Sequence, residues 1–141
     1  MPIKYHPKPG TIVRVKFDAA FKVPEMVKPR LCVVVSKAIE ARPGLCTVVP
    51  LSTSKPNPVM AYHCKVDPAF ELPKPWGNQE RWLKGDMIYA VGFHRVELLR
   101  LGKDENGRRM YQTARLEATE FRKIQACILH GLGMQHLTKL L

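Results

Sequence analysis

Two short apolar runs dominate the hydrophobic pattern, Arg30-Leu-Cys-Val-Val-Val-Ser36 and Leu45-Cys-Thr-Val-Val-Pro-Leu-Ser-Thr53. Each is rich in β-branched residues and bounded by polar ones, which predicts two neighbouring core strands. Arg42-Pro-Gly44 supplies the turn, so the two pair antiparallel. Arg30 then stands at the start of one strand, with Ser52 and Thr53 at the end of the other. A rigid apolar body with an arginine and hydroxyls at its rim suits a site better than a core.

Around this pair the pattern predicts further strands. Thr11 to Phe17 alternates, with Ile12 or Val13, Val15 and Phe17 against Arg14 and Lys16, as a half-exposed strand does. Met60 to Val66 reads as another, and Trp82 to Val91 is an apolar run interrupted by Lys84 and Asp86. His94 to Leu99 resumes the strand pattern. The Asn106-Gly107 turn signal predicts a hairpin joined to the sheet, with arms at Arg95 to Leu101 and Arg109 to Ala114. Prolines keep Asp18 to Pro29 and Asp67 to Gln79 as long loops. One helix is predicted, from Ala118 to Gly131 or Gly133, because Phe121, Ile124, Cys127 and Ile128 recur at three and four; Leu137, Leu140 and Leu141 form a tail. Six or seven short strands and one terminal helix imply a mainly β fold, a small antiparallel barrel or strongly curled sheet capped by the helix.

Length is compatible with one domain over 1–141, comprising an extended proline-rich arm (1–9), the strands and long loops (10–116), and the helix and tail (117–141). Composition adds a strong bias: 23 Lys and Arg against 12 Asp and Glu give a formal net charge of +11, so polyanions are the natural partners. Cys32, Cys46 and Cys127 fall in apolar strand or helix positions, where small hydrophobes belong, so no disulfide framework is expected. There is no Cys-x-x-Cys and the five histidines are scattered; His63 beside Cys64 is the one pair with metal-ligand character, and no metal or other cofactor is expected. With no signal-peptide pattern and no run of 18 apolar residues, a cytoplasmic protein without a membrane partner is expected.

Gripping or cleaving a phosphodiester requires a cation for the phosphate oxygens, donors that orient them and a proton acceptor near the attacking hydroxyl. Arg30 offers a planar donor fork. Ser52 or Thr53 offers a hydroxyl, Glu25 or Asp86 a carboxylate, and Lys84 a second cation. Trp76, Trp82 and Phe93 are aromatics of the kind that stack on bases, and His94 and Arg95 sit just beyond.

At these residues the sequence resembles the PemK/MazF toxin family, the RNA-cutting toxins of type II toxin-antitoxin pairs. The run from Gly10 to Asp18 resembles the family's opening strand, and Glu25 to Ser36 its loop glutamate, arginine and valine-rich strand. Val49-Pro-Leu-Ser-Thr-Ser54 resembles the family's hydroxyl-bearing strand end, and Lys84-Gly-Asp-Met-Ile88 its carboxylate segment. The closing helix with Ile124 and Ile128 fits, and together these motifs span roughly residues 10 to 131 in order.

The resemblance implies an SH3-like small barrel of the CcdB/PemK kind and a homodimer with an RNA groove across its subunits. It also implies a separate antitoxin chain, and metal-independent, sequence-specific cleavage of single-stranded RNA by 2′-hydroxyl attack. Carried across, Arg30 and Ser52 fall on catalytic positions with Thr53 adjacent, Glu25 falls on the loop glutamate, Asp86 on a carboxylate proposed as base in some members and Lys84 on an arginine proposed there as acid. Lys28 and Lys55, which bound the two central strands, are expected to support RNA binding with Glu25, Thr53 and Lys84. Three departures stand out: Leu31 replaces the proline usual after the arginine, Ser52 replaces a threonine, and Lys84 replaces an arginine and so loses a donor fork. The alternatives are a non-catalytic toxin on the same barrel gripping a protein such as gyrase, or an RNA-binding protein without cleavage.

Overall fold

The computed structural model describes residues 1–18 and 20–141; position 19 of the first predicted loop lies outside the described residues. The central runs form β2 (Arg30–Val34) and β3 (Leu45–Ser52), antiparallel with Cys32 opposite Pro50. Around them lie β1 (Ile12–Val15), β4 (His63–Lys65), β5 (Trp82–Lys84), β6 (Tyr89–Gly92) and β7 (Val96–Leu98). The order is β4-β5-β3-β2-β1-β7, with β6 also paired to β3. Among the described residues the path is open, so of the barrel and the curled sheet it is the curled sheet that forms, mainly antiparallel with one C-terminal α-helix. The amino-terminal arm covers its far end, where the Ile3 N–H donates to the Val96 carbonyl at 2.9 Å.

The sheet buries both faces. Ile12, Leu31, Val33, Val49, Leu51 and Leu83 pack on one face beneath α1 (Ala118–Gly131), through Ile124 and Cys127. Val13, Val15, Phe17, Cys32, Val34 and Val48 fill the other. This corrects the half-exposed first strand: Ile12 and Val13 point to opposite faces and are both buried, because each face has its own core. The helix bounds agree with the predicted start and the earlier of the two predicted ends.

Other boundaries differ for local reasons. The strand expected over Met60 to Val66 shortens to β4 because His63 closes a turn, its N–H on the Met60 carbonyl and its Nδ1 accepting from the Met60 N–H. The run from Trp82 to Val91 divides into β5 and β6 at Gly85, whose Cβ position would lie 2.7 Å from the Cys127 backbone. His94 and Arg95 belong to a 3₁₀ turn (Phe93–Arg95), and strand resumes only at Val96. The hairpin does not join the main sheet: β8 (Arg100–Lys103) and β9 (Arg109–Tyr111) pair only with each other. With these divisions the described residues hold nine strands rather than six or seven.

Where β1 meets β7, Arg14 lies opposite Glu97. The Glu97 carboxylate takes Lys16 Nζ at 2.9 Å and Arg14 at 3.4 Å. The Lys16 hydrogen bond is the main force holding its carboxyl below the usual 4.5. A carboxyl with a depressed folded-state pKa contributes stability that is present above about pH 4.5 and lost as pH falls through the folded value. Glu97→Gln is therefore expected to cost under about 1 kcal/mol near neutrality and to flatten the acid limb of stability measured by urea titration. An unchanged acid limb would show that the pair contributes nothing.

Candidate active site

The ladder determines which predicted residues share a face. Arg30 lies opposite Val15 on β1, and the register of β2 on β3, continued one pleat toward the rim, sets Ser52 opposite Arg30. Ser52 pairs with Trp82, and Trp82 with Lys65. One pleat inward, Lys84 pairs with His63 and lies across from Pro50. Because Leu31, Leu51, Leu83 and Cys64 turn into the helix-side core, alternation directs Arg30, Ser52, Trp82, Lys84 and His63 to the opposite face. The ladder thus sets Arg30 and Lys84 two strands and one pleat apart on the same face.

At the rim where β2 begins and β3 ends, a cleft of about 160 Å³ opens toward the helix side of the sheet, lined by Leu31, Leu51, Thr53, Trp76 and Arg81 with Arg30 at its edge; Ser52 and Lys84 stand outside it, on the other face. Arg30 is half-buried, and its Nε–H is sealed from solvent without an acceptor. No carboxylate pairs with it among the described residues. A buried donor left in this state is uncommon. Ser52 is buried; its Oγ accepts the Ser54 N–H at 3.2 Å, leaving the hydroxyl hydrogen to donate. Thr53 is exposed in the cleft.

The remaining predicted residues divide. Lys55 places Nζ 5.7 Å from the centre of the Trp82 ring, so it joins the Arg30 face. Asp86 is exposed in the turn after β5, near Lys84 and His63. Glu25 and Lys28 lie in the exposed loop before β2. Glu25 accepts the Lys22 N–H at 3.2 Å, and no hydrogen bond or ion pair among the described residues joins it to Arg30. That loop is fastened by the Met26 N–H donating to the Tyr89 hydroxyl at 2.9 Å. Phe93 packs in the second core, and Arg95 is engaged by Asp18 at 2.7 Å and by the Phe21 ring.

Two residues were not identified as site residues from the sequence. Arg81 is 6 % exposed and donates to the carbonyls of Trp76 (3.0 Å), Gln79 (3.3 Å) and Gly77 (3.4 Å), so it shapes the wall that carries Trp76. One arginine at a loop end in so basic a chain gives no signal; only the fold reveals it. His63 stands beside Lys84, and burial lowers its pKa against the opposing pull of Asp86. Strand alternation, which sets His63 and Lys65 on one face, was the available signal.

The profile of the PemK-like, MazF-like toxins of type II toxin-antitoxin systems matches residues 8–131. The chain belongs to this toxin family. No curated protein matches the sequence. Among solved structures, the toxin-family fold recurs in MazF from Deinococcus radiodurans, 19% identical, with a TM-score of 0.59 over 93% of this chain and 100% of that one. A mycobacterial endoribonuclease solved with its cognate antitoxin is 17% identical, with a TM-score of 0.56 over 91% and 96% of the two chains. A second mycobacterial endoribonuclease is 15% identical, with a TM-score of 0.58 over 92% and 94%. At these identities the likeness establishes the fold. No helix of the toxin is long and apolar enough to cross a membrane among the described residues.

Proposed function

We propose that this toxin is an endoribonuclease that cuts single-stranded RNA at a preferred sequence. The observation that carries the reading is Arg30: a half-buried guanidinium that pairs with no carboxylate among the described residues, at the strand end across from Ser52 and on the face that carries Lys84. A phosphate oxygen binds the terminal N–H groups of the guanidinium, which hold the charge that builds in the transition state. Ser52, across from Arg30, donates its hydroxyl hydrogen to the same phosphate, and Thr53 lines the approach.

Asp86 is the base in this reading. It takes the proton of the 2′-hydroxyl, whose oxygen attacks phosphorus; the bond to the 5′-oxygen breaks, and Lys84 returns a proton to that leaving oxygen. The products are a 2′,3′-cyclic phosphate and a 5′-hydroxyl. Arg30 and Lys84 supply the positive charge the reaction requires, so no metal enters the scheme. Glu25, Lys28 and Lys55 support the RNA, with Lys55 and Trp82 forming a cation-capped platform for a base. A homodimer, a separate antitoxin and a cytoplasmic location complete the reading; the antitoxin is supported by the mycobacterial relative solved with its own.

The experiment is incubation of purified protein with long mixed-sequence RNA in EDTA, with the cut ends mapped. Cleavage at a recurring short sequence, leaving 5′-hydroxyl ends, is expected. Ser52→Ala is expected to slow it by about tenfold or more, as loss of one oriented donor does. Strict dependence on added metal would sink the mechanism, and failure to cut any RNA would return the toxin to a protein-gripping role.

A further inference from the structure

We infer that the β8–β9 hairpin is a second RNA-binding element, a ribbon that holds the strand where it leaves the Arg30 cleft. The inference rests on the endoribonuclease reading and extends it to a surface that the site residues do not include.

The hairpin's geometry sets its charges on one side. The ladder pairs Arg100 with Tyr111 and Lys103 with Arg109, with Gly102 opposite Met110 between them. Leu101 is the extra residue of a bulge, and Gly102, at φ +111°, provides the left-handed backbone there. Pleat alternation then assigns Arg100, Lys103, Arg109 and Tyr111 to one face. The three cations are exposed and none forms an ion pair among the described residues, whereas Arg14, Lys16, Lys65, Arg95 and Lys123 all do. The hairpin's carboxylates are at its tip. Asp104 is committed there, its Oδ1 accepting the N–H groups of Asn106 (2.9 Å) and Arg108 (2.8 Å). Three free cations beside an aromatic ring, on a two-stranded ribbon, match the backbone charge and stacking faces of a single strand.

The ribbon is continuous with the cleft. Its base is fastened to the Asp67–Gln79 loop, where Gln112 Nε2 donates to the Glu71 carbonyl at 3.4 Å. An open cavity of about 580 Å³ lies between Arg100 to Gly102 and Glu71 to Lys74. The next two residues of that loop, Pro75 and Trp76, wall the Arg30 cleft. A strand leaving the cleft past Trp76 therefore meets Lys74, then Arg100, then Lys103 and Arg109. Glu71 is the one carboxylate lining that passage, against Lys74 and Arg100.

The test compares the parent with the combined variant Arg100→Gln, Lys103→Gln and Arg109→Gln, which keeps polar side chains at exposed positions; equal melting temperatures check the fold. Binding is measured against salt with 2′-O-methylated RNA, which cannot be cut by 2′-hydroxyl attack. One oligonucleotide is short enough to fill only the cleft and another extends well past it. On the long RNA the variant is expected to lose affinity by about tenfold, and the slope of log affinity against log salt to fall by about two, at about 0.7 per phosphate contact. On the short RNA both proteins should behave alike. An unchanged slope on the long RNA overturns the inference while leaving cleavage by the parent as a separate result. Equal losses on both RNAs overturn it too, as does an unchanged slope accompanied by lost affinity for a polyglutamate peptide, which would assign the hairpin to a protein partner. A parent that binds neither RNA rejects the hairpin and the endoribonuclease reading together.

Discussion

Arg30→Ala is expected to lower kcat/KM for RNA cleavage by about 10²–10³-fold, the range found when one preorganised donor to a developing oxyanion is removed. The fold should persist. Because among the described residues the Arg30 Nε–H has no acceptor and no carboxylate pairs with the guanidinium, truncation leaves none of them stranded without a partner. Arg30→Lys is the informative companion: it retains the charge but loses the planar fork, so activity should recover only in part. Cleavage assays on the two variants, with thermal melts alongside, separate a phosphate-binding arginine from a strand-end residue. Full activity in the alanine variant would dismiss Arg30 from the chemistry.

Gly85→Ala is expected to be the most destabilising single substitution argued from this fold. A Cβ at this position would lie 2.7 Å from the Cys127 carbonyl carbon and oxygen and 2.8 Å from the Tyr62 carbonyl oxygen. All three are backbone atoms, so no side chain can swing aside. A Cβ at Gly131 would meet the Gly85 oxygen at 2.6 Å and the Asp86 Cα at 2.8 Å, from the other side of the same contact. Helix α1 and the turn between β5 and β6 must separate to admit a methyl group, at about 3 kcal/mol or more, read as a fall in Tm of about 10 °C. Activity should drop as well, since the same turn carries Lys84 and Asp86. An unaltered Tm would show that the helix does not bear on the turn.

These two positions differ in how far the sequence alone could reveal them. Arg30 stands out in the sequence as a candidate because it precedes a β-branched run and stands in a recognisable order with Ser52 and the Lys84 segment. Gly85 was passed over inside an apolar run, since nothing nearby in sequence announces that Cys127 will press against it. Arg81 was missed for a related reason: its value lies in three carbonyls that only the folded loop turns toward it. The hairpin was legible as a hairpin from Asn106-Gly107. Its turn nevertheless closes between Asp104 and Arg108, with Gly107 at φ +75°, and its strands stand apart from the main sheet.

Strands β2 and β3, the helix from Ala118 to Gly131, the basic field and the order of the family motifs are legible in the amino-acid pattern. Burial imposes a period of two or 3.6 on neighbouring residues, and that period can be read within a short window. Only the tertiary structure decided that both faces of β1 are buried and that Arg30, Ser52, Trp82, Lys84 and His63 share one face. It also decided that Trp76 and Arg81 wall the cleft, while among the described residues Glu25 forms no hydrogen bond or ion pair with Arg30. Those outcomes depend on register and on contacts between segments far apart in the chain, and no local pattern encodes which distant segment will supply the opposing surface.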